Sequence, residues 1–352
     1  MTSKQRVMAA LDHRPPDRIP TFDSFWTEFR QSCIEELGLP ADVDIDAHFG
    51  TDIRIAVADE TPFPTRTEVL EEDGHARTVR DGWGRVVQTF RDAFFYRELE
   101  VAVKEKGDLD RLEFDSPQLD QRYAGFERNV ERWQDDWCVF CKTGGPYLRT
   151  TYLRGEVNFL TDIAADPAFA RALADRVADH IIQIGLESLA RGDLYDTGLW
   201  IYDDMGNNRQ PMMSPASFEI VFLPAYRRMV SAFKRAGANK VILHSDGNIG
   251  PLLDMLVDVG FDGINPVEPR AGLHIPTLQQ KYPGLSFIGG MCNSHVLPEG
   301  PEERIREQAR EIIEVARDGG VIIGAHSIGP DIPVSHYMHY HRTVKEEGDF
   351  CQ

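Results

Sequence analysis

The chain has 352 residues, 42% hydrophobic and 27% charged, which is enough apolar material for one large core and excludes collagen, coiled coil and a disordered tail. Its 38 Lys and Arg face 57 Asp and Glu, and the net charge of −19 would repel a phosphate backbone, so nucleic acid is not an expected partner. No apolar run reaches the ~18 residues of a membrane span, and Met1-Thr2-Ser3-Lys4-Gln5-Arg6 leads into a short mixed helix instead of an apolar signal segment, so a cytoplasmic protein is expected. The five cysteines, Cys33, Cys138, Cys141, Cys292 and Cys351, are odd in number and irregularly spaced, which fits reduced thiols and not a disulfide framework.

In chain order, β-branched and aromatic runs alternate with long amphipathic stretches. They predict core strands over residues 18–23, 52–58, 137–143, 198–203, 240–245, 263–267, 285–290 and 321–326. The helices between them are well punctuated: Asp166-Pro167 and Ser214-Pro215 each set an N-cap residue before a proline that has no N–H to lose. Residues 302–318 place Ile305, Ala309, Ile312, Ile313 and Ala316 on one face, and Gly319-Gly320 stops that helix. Eight strands joined by helical crossovers predict a single (β/α)8 barrel, a TIM barrel of the α/β class, with a helical lead-in at the N-terminus; a doubly wound open sheet is the alternative. Residues 65–103 break the rhythm. There Asp73-Gly74 and Asp81-Gly82 separate short alternations such as Arg77-Thr78-Val79-Arg80 and Arg85-Val86-Val87-Gln88, which predicts a β-hairpin insertion, either a cover for the mouth or a solvated excursion.

In such a barrel the reactive groups gather at the C-terminal ends of the strands. The fourth strand ends in Tyr202-Asp203-Asp204-Met205-Gly206, the fifth in His244-Ser245-Asp246-Gly247-Asn248, the sixth in Asn265-Pro266-Val267-Glu268, the seventh in Met291-Cys292-Asn293 and the eighth in Ala325-His326-Ser327. Strand alternation sends Asp203 and Asp204 to opposite faces, so one of them, taken here as Asp204, enters the mouth. His244 and Asp246, two apart, share a side and suit either a metal or a carboxylate-oriented imidazole. Two other patterns carry nothing. Cys138-Val139-Phe140-Cys141 lies inside a predicted strand, where residues three apart face opposite ways, and the glycines of Gly144-Gly145-Pro146 match no nucleotide-binding loop.

These landmarks resemble the uroporphyrinogen decarboxylase superfamily, which includes that decarboxylase and cobalamin-dependent methyltransferases. The resemblance runs through Ser3-Lys4-Gln5-Arg6-Val7-Met8-Ala9-Ala10-Leu11, Pro16-Asp17-Arg18-Ile19-Pro20, the Gly145-Pro146 turn, Asp203-Asp204-Met205-Gly206, His244-Ser245-Asp246-Gly247-Asn248, Asn265-Pro266-Val267 and Pro330-Asp331-Ile332-Pro333. It implies a (β/α)8 barrel with a deep mouth. The decarboxylases carry an Arg-Gln-Ala-Gly-Arg segment after the first strand for a substrate with many carboxylates. Here Phe25-Trp26-Thr27-Glu28-Phe29-Arg30 stands instead, and a polyanion would be poorly neutralised.

The methyltransferase branch, as the resemblance implies it, uses zinc held by a His-x-Cys pair and a later cysteine. This chain keeps His244 but has Asp246 in place of that cysteine, and no cysteine in 325–330. A different zinc set is therefore expected: His244, Glu268 and Cys292, ending three successive strands with N, O and S donors. Asp204, Asp246 and His326 are the expected proton-transfer groups, and Phe22, Phe25, Trp26, Tyr147 and Asn248 the expected substrate contacts. The resemblance further implies methyl transfer from a small O- or N-methylated, aromatic compound to a cobalamin on a partner corrinoid protein. The competing reading is a cofactor-free carboxy-lyase acting through Asp59, and the third a catalytically silent binding barrel. A homodimer is compatible with the chain.

Overall fold

The computed structural model describes residues 1–91 and 95–351. Among the described residues twelve strands are present: β1 (Thr21–Phe25), β2 (Ile53–Val57), β3 (Glu68–Glu72), β4 (Ala76–Arg80), β5 (Val86–Phe90), β6 (Arg97–Glu100), β7 (Cys138–Gly144), β8 (Gly198–Tyr202), β9 (Lys240–His244), β10 (Gly263–Val267), β11 (Ser286–Gly290) and β12 (Val321–Ile328). Eight of them form one parallel sheet in the order β1-β12-β11-β10-β9-β8-β7-β2, with helices between successive strands. This is a (β/α)8 barrel, closed except at one seam. Among the described residues no ladder joins β1 to β2; at the base of the seam the Asp52 N–H donates to the Thr21 carbonyl at 2.9 Å.

Period-2 alternation builds the barrel interior in layers. Phe22, Ile53, Phe140, Trp200, Ile242, Ile288 and Ile322 form a common apolar layer, with Val7, Ala10 and Leu11 of helix Ser3–Leu11 packed against it. The lead-in helix thus plugs the barrel, and its Arg6 fixes it there: Nη1 donates to buried Asp52 at 2.8 Å, while Arg18 contacts the same carboxylate at 2.8 and 2.9 Å. One step further along the strands, the same parity brings up Lys142, Tyr202, His244 and Asn265. Cys138 belongs to the interior layer and Cys141 to the outer core beneath the helices, so the two thiols of the CxxC spacing do face opposite ways.

The first strand starts at Thr21, three residues later than predicted. Pro20 has no N–H to give a ladder, although its carbonyl accepts from Ile323 at 3.0 Å. The helix over Glu302–Ala316 buries all five residues of its predicted face. Asp166 and Ser214 cap their helices by accepting from Phe169 N at 3.2 Å and Ser217 N at 3.1 Å. Between β2 and β7 the chain forms a four-stranded antiparallel sheet, β3-β4-β5-β6, with two more strands than a single hairpin. Residues 92–94 of that insertion lie outside the described residues. Among the described residues no helix is long and apolar enough to cross a membrane.

Candidate active site

A cavity of about 380 Å³ opens beside the unpaired seam, walled by Phe22 and Ser24 of β1, Ile53 and Ile55 of β2, Lys142 of β7, Tyr202 of β8, His244 of β9 and His326 of β12. His244 is its best-defined group. It is buried, its ring stacks on Tyr202 with centroids 4.0 Å apart, and its Nδ1 lies 2.6 Å from Asn265 Oδ1. Asn265 Nδ2 donates to the Ile288 carbonyl at 3.3 Å, which turns the amide oxygen toward the imidazole. Nδ1 therefore carries the proton, and Nε2 presents its lone pair to the cavity. Burial, then the neighbouring His326, pushes the His244 pKa down to about 3, so the ring is neutral at physiological pH.

That lone pair meets other electron-pair donors. His244 Nε2 lies 3.5 Å from Asp246 Oδ1 and 3.7 Å from Asp204 Oδ1, too far for a good hydrogen bond. On the far side, His326 Nε2 lies 3.0 Å from Asp246 Oδ1. Burial opposes charge at both partners, yet their pairing raises the His326 pKa and lowers that of Asp246. His326 reaches this position through a local irregularity. Its φ is +65°, and the β1 to β12 register slips by one residue between the Thr21 and Asp23 pairings. A bulge of this kind re-aims a side chain at a barrel rim. Its Nδ1 is buried without a hydrogen-bond partner.

The ligand atoms of His244, Asp246 and His326 all lie within 4.8 Å of one another, two imidazole nitrogens and one carboxylate oxygen that suit a divalent cation. The expected set of His244, Glu268 and Cys292 is not assembled. Glu268 Oε2 accepts from Gly247 N at 2.6 Å and Oε1 from Arg270 Nε at 2.9 Å, so that carboxylate fixes the loop after β9. Cys292 is a packed thiol in the outer core.

The acidic pair at the end of β8 divides its work. Asp203, fully buried, accepts from Tyr147 N at 2.9 Å, from Leu148 N and from the Tyr226 hydroxyl, and so caps the first turn of helix Pro146–Arg154. Asp204 lies instead beside the loop after β9, where its Oδ1 accepts from Asp246 N at 3.1 Å and lies 3.7 Å from His244 Nε2. Burial, followed by the nearby Asp246 charge, raises its pKa.

Of the expected substrate contacts, Phe22 lines the cavity; Trp26 is not part of its wall but donates from Nε1 to Oγ of the lining residue Ser327 at 2.6 Å. Phe25 does not line it: its ring packs with Phe29, Phe49 and Tyr337 in the outer core. Tyr147 is likewise core, against Phe159 and Phe222. Asn248 spends its amide on loop closure, donating to the Arg209 carbonyl at 3.0 Å and accepting from Gly250 N at 2.9 Å. Asp59, the carboxylate of the lyase reading, closes its own turn with Thr61 N at 2.9 Å and Thr61 Oγ1 at 2.6 Å. Lys142, Tyr202, Asn265 and buried Asp23 were not anticipated. Asp23 accepts from Ala325 N at 2.6 Å and the Tyr337 hydroxyl at 3.0 Å, and burial raises its pKa to about 6.

With this geometry in place, residues 98–347 match the family model "Uroporphyrinogen decarboxylase (URO-D)". The chain belongs to the uroporphyrinogen decarboxylase family. Among solved structures it is similar to a methyltransferase from Methanosarcina mazei, with a TM-score of 0.71 at 16% identity over 99% of each chain. At that identity the likeness speaks for the fold. No curated protein matches the sequence.

Proposed function

We propose that this protein is a methyltransferase that takes a methyl group from a small O- or N-methylated aromatic compound and passes it to a cobalamin carried by a separate corrinoid protein. The observation that carries the reading is the convergence of neutral His244 Nε2 with Asp246 and His326 at the wall of a cavity faced by Phe22, Ile55 and Tyr202. The absence of paired arginines after β1 and the methyltransferase among its structural neighbours support the same branch of the family.

His244, Asp246 and His326 would hold a zinc ion, which when bound supplies a Lewis acid for the heteroatom that loses its methyl group. The chain's own residues do the rest. Asn265 holds the His244 tautomer so that Nε2 stays a lone-pair donor. Phe22, Ile55 and Tyr202 position an apolar ring and keep water out. Asp204, its proton affinity raised by burial and by Asp246, delivers a proton to the departing oxygen or nitrogen as its bond to the methyl carbon breaks; the cobalamin of the partner would supply the nucleophile that accepts that carbon. The anion would otherwise be a poor leaving group.

The test is incubation with cob(I)alamin and a panel of methoxyarenes and N-methyl compounds, read by the absorbance change to methylcobalamin. Formation with at least one donor, abolished in Asp204→Asn, is expected. No methylcobalamin with any donor, together with carbon dioxide release from uroporphyrinogen, would replace this reading with the lyase.

A further inference from the structure

One cation in the cavity has no anion of its own. Lys142 follows Cys138 and Phe140 on the inward face of β7 and lines the cavity. Its Nζ lies 4.1 Å from the centroid of the Tyr202 ring. The other two basic side chains of the wall are neutralised: Arg30 by Asp46 at 2.7 Å, Arg54 by Asp44 at 2.6 Å and Asp46 at 3.1 Å. Among the described residues no carboxylate lies within 4.0 Å of Lys142 Nζ. The nearby acid Glu60 is taken by Arg149 at 2.6 Å. Burial pushes the Lys142 pKa below its ordinary value despite the more distant charges of Glu60 and Asp204, as expected for an ammonium drawn from water with a ring face as its nearest partner. An unneutralised, partly desolvated cation is costly unless something arrives to pair with it.

The position of Lys142 relative to the reactive set is informative. Lys142 on β7 and His244 on β9 both rest on the Tyr202 ring of β8, the strand between them. A single substituted ring can therefore reach both, one end at the ammonium and the other at the imidazole. A cavity of about 380 Å³ suits a molecule of that size, and one unpaired cation suits one negative charge, not the many of a polycarboxylate.

We propose that Lys142 sets the specificity of the mouth, and that the methyl donor is an aromatic compound bearing a single carboxylate, which pairs with Lys142 Nζ while the methylated heteroatom lies toward His244. What the donor does rests on the methyl-transfer reading; what the cavity binds does not.

The experiment is therefore an equilibrium one: calorimetric titration of wild type and Lys142→Met with 4-methoxybenzoate and with its neutral counterpart 4-methoxybenzamide. A charge-assisted contact of this kind is expected to favour the acid over the amide by about 10–100-fold in wild type. In Lys142→Met the preference should fall to about 2-fold or less while amide affinity is retained, which also reports that the variant is folded. Lys142→Arg should restore part of the preference. Equal affinity for acid and amide in wild type, or no binding of either, overturns the proposal. So does an equal loss of both in Lys142→Met and Lys142→Gln, which would make the lysine an internal counter-ion for Asp204. A preserved acid preference without methylcobalamin formation would leave the anion site standing and refute the methyl-transfer reading alone.

Discussion

Asp203 and Asp204 are neighbours in sequence with opposite duties, and separating them tests the account of the site. Asp203→Ala would orphan three buried donors, the N–H groups of Tyr147 and Leu148 and the Tyr226 hydroxyl. At about 1–3 kcal/mol each, the loss is roughly 5 kcal/mol. Against this stands the cost of keeping the carboxylate ionised. Burial raises its pKa from 3.8 to about 6, and two pKa units correspond to about 3 kcal/mol. The folded state binds this proton more tightly than the unfolded state. Wild-type stability therefore falls as pH rises from about 4 to about 6, and the penalty is complete above that. Urea unfolding should thus show Asp203→Ala less stable by about 2 kcal/mol at pH 7, with the gap from wild type widening toward roughly 5 kcal/mol near pH 4. Asp204→Ala, whose side chain is 42% exposed, should change stability by less than about 1 kcal/mol and abolish turnover. A gap that narrows at low pH, or an Asp204 variant more damaged in stability than the Asp203 variant, would refute this division.

Three further outcomes follow from the same geometry. Protein equilibrated with zinc and dialysed should retain about one equivalent by elemental analysis, lost in His244→Ala and His326→Ala and kept in Cys292→Ala; loss in the cysteine variant would overturn the His244, Asp246 and His326 set. Retention should weaken as pH falls, because the imidazoles must be neutral to bind. Asn265→Leu removes the acceptor that holds His244 Nδ1–H and should lower kcat by about 10–100-fold with KM little changed; an unaltered kcat would mean that the tautomer does not matter.

The barrel was legible in the sequence because eight β-branched or aromatic runs are separated by amphipathic stretches, and these local preferences agree with the global layers. Parity within strands also locates the cavity wall. Counting by twos from Phe140 reaches Lys142, from Trp200 reaches Tyr202, and from Ile242 reaches His244; all three line the cavity. Lys142 and Tyr202 are each the last inward side chain of a strand, just short of the loop residues in which chemistry is usually sought. The same counting, started at Phe22, puts Phe25 on the helix-facing side, in agreement with its packing against Tyr337.

Other features had no signal in one dimension. Glu268 ends a strand as Asp246 follows one, and nothing in the chain tells that a glutamate will be claimed by Gly247 N–H and Arg270 while an aspartate is left facing two imidazoles. His326 reaches the cavity only because an extra residue in β12 and a left-handed backbone turn it there. Such strain is tolerated where neighbouring structure over-determines it, and here Asp23 supplies that restraint, gripping the preceding residue through Ala325 N while its other oxygen is held by Tyr337. The outer core thus sets the position of an inner imidazole. A residue chosen for packing and a residue chosen for chemistry meet at one backbone amide, and that meeting is a property of the closed barrel and not of any segment read alone.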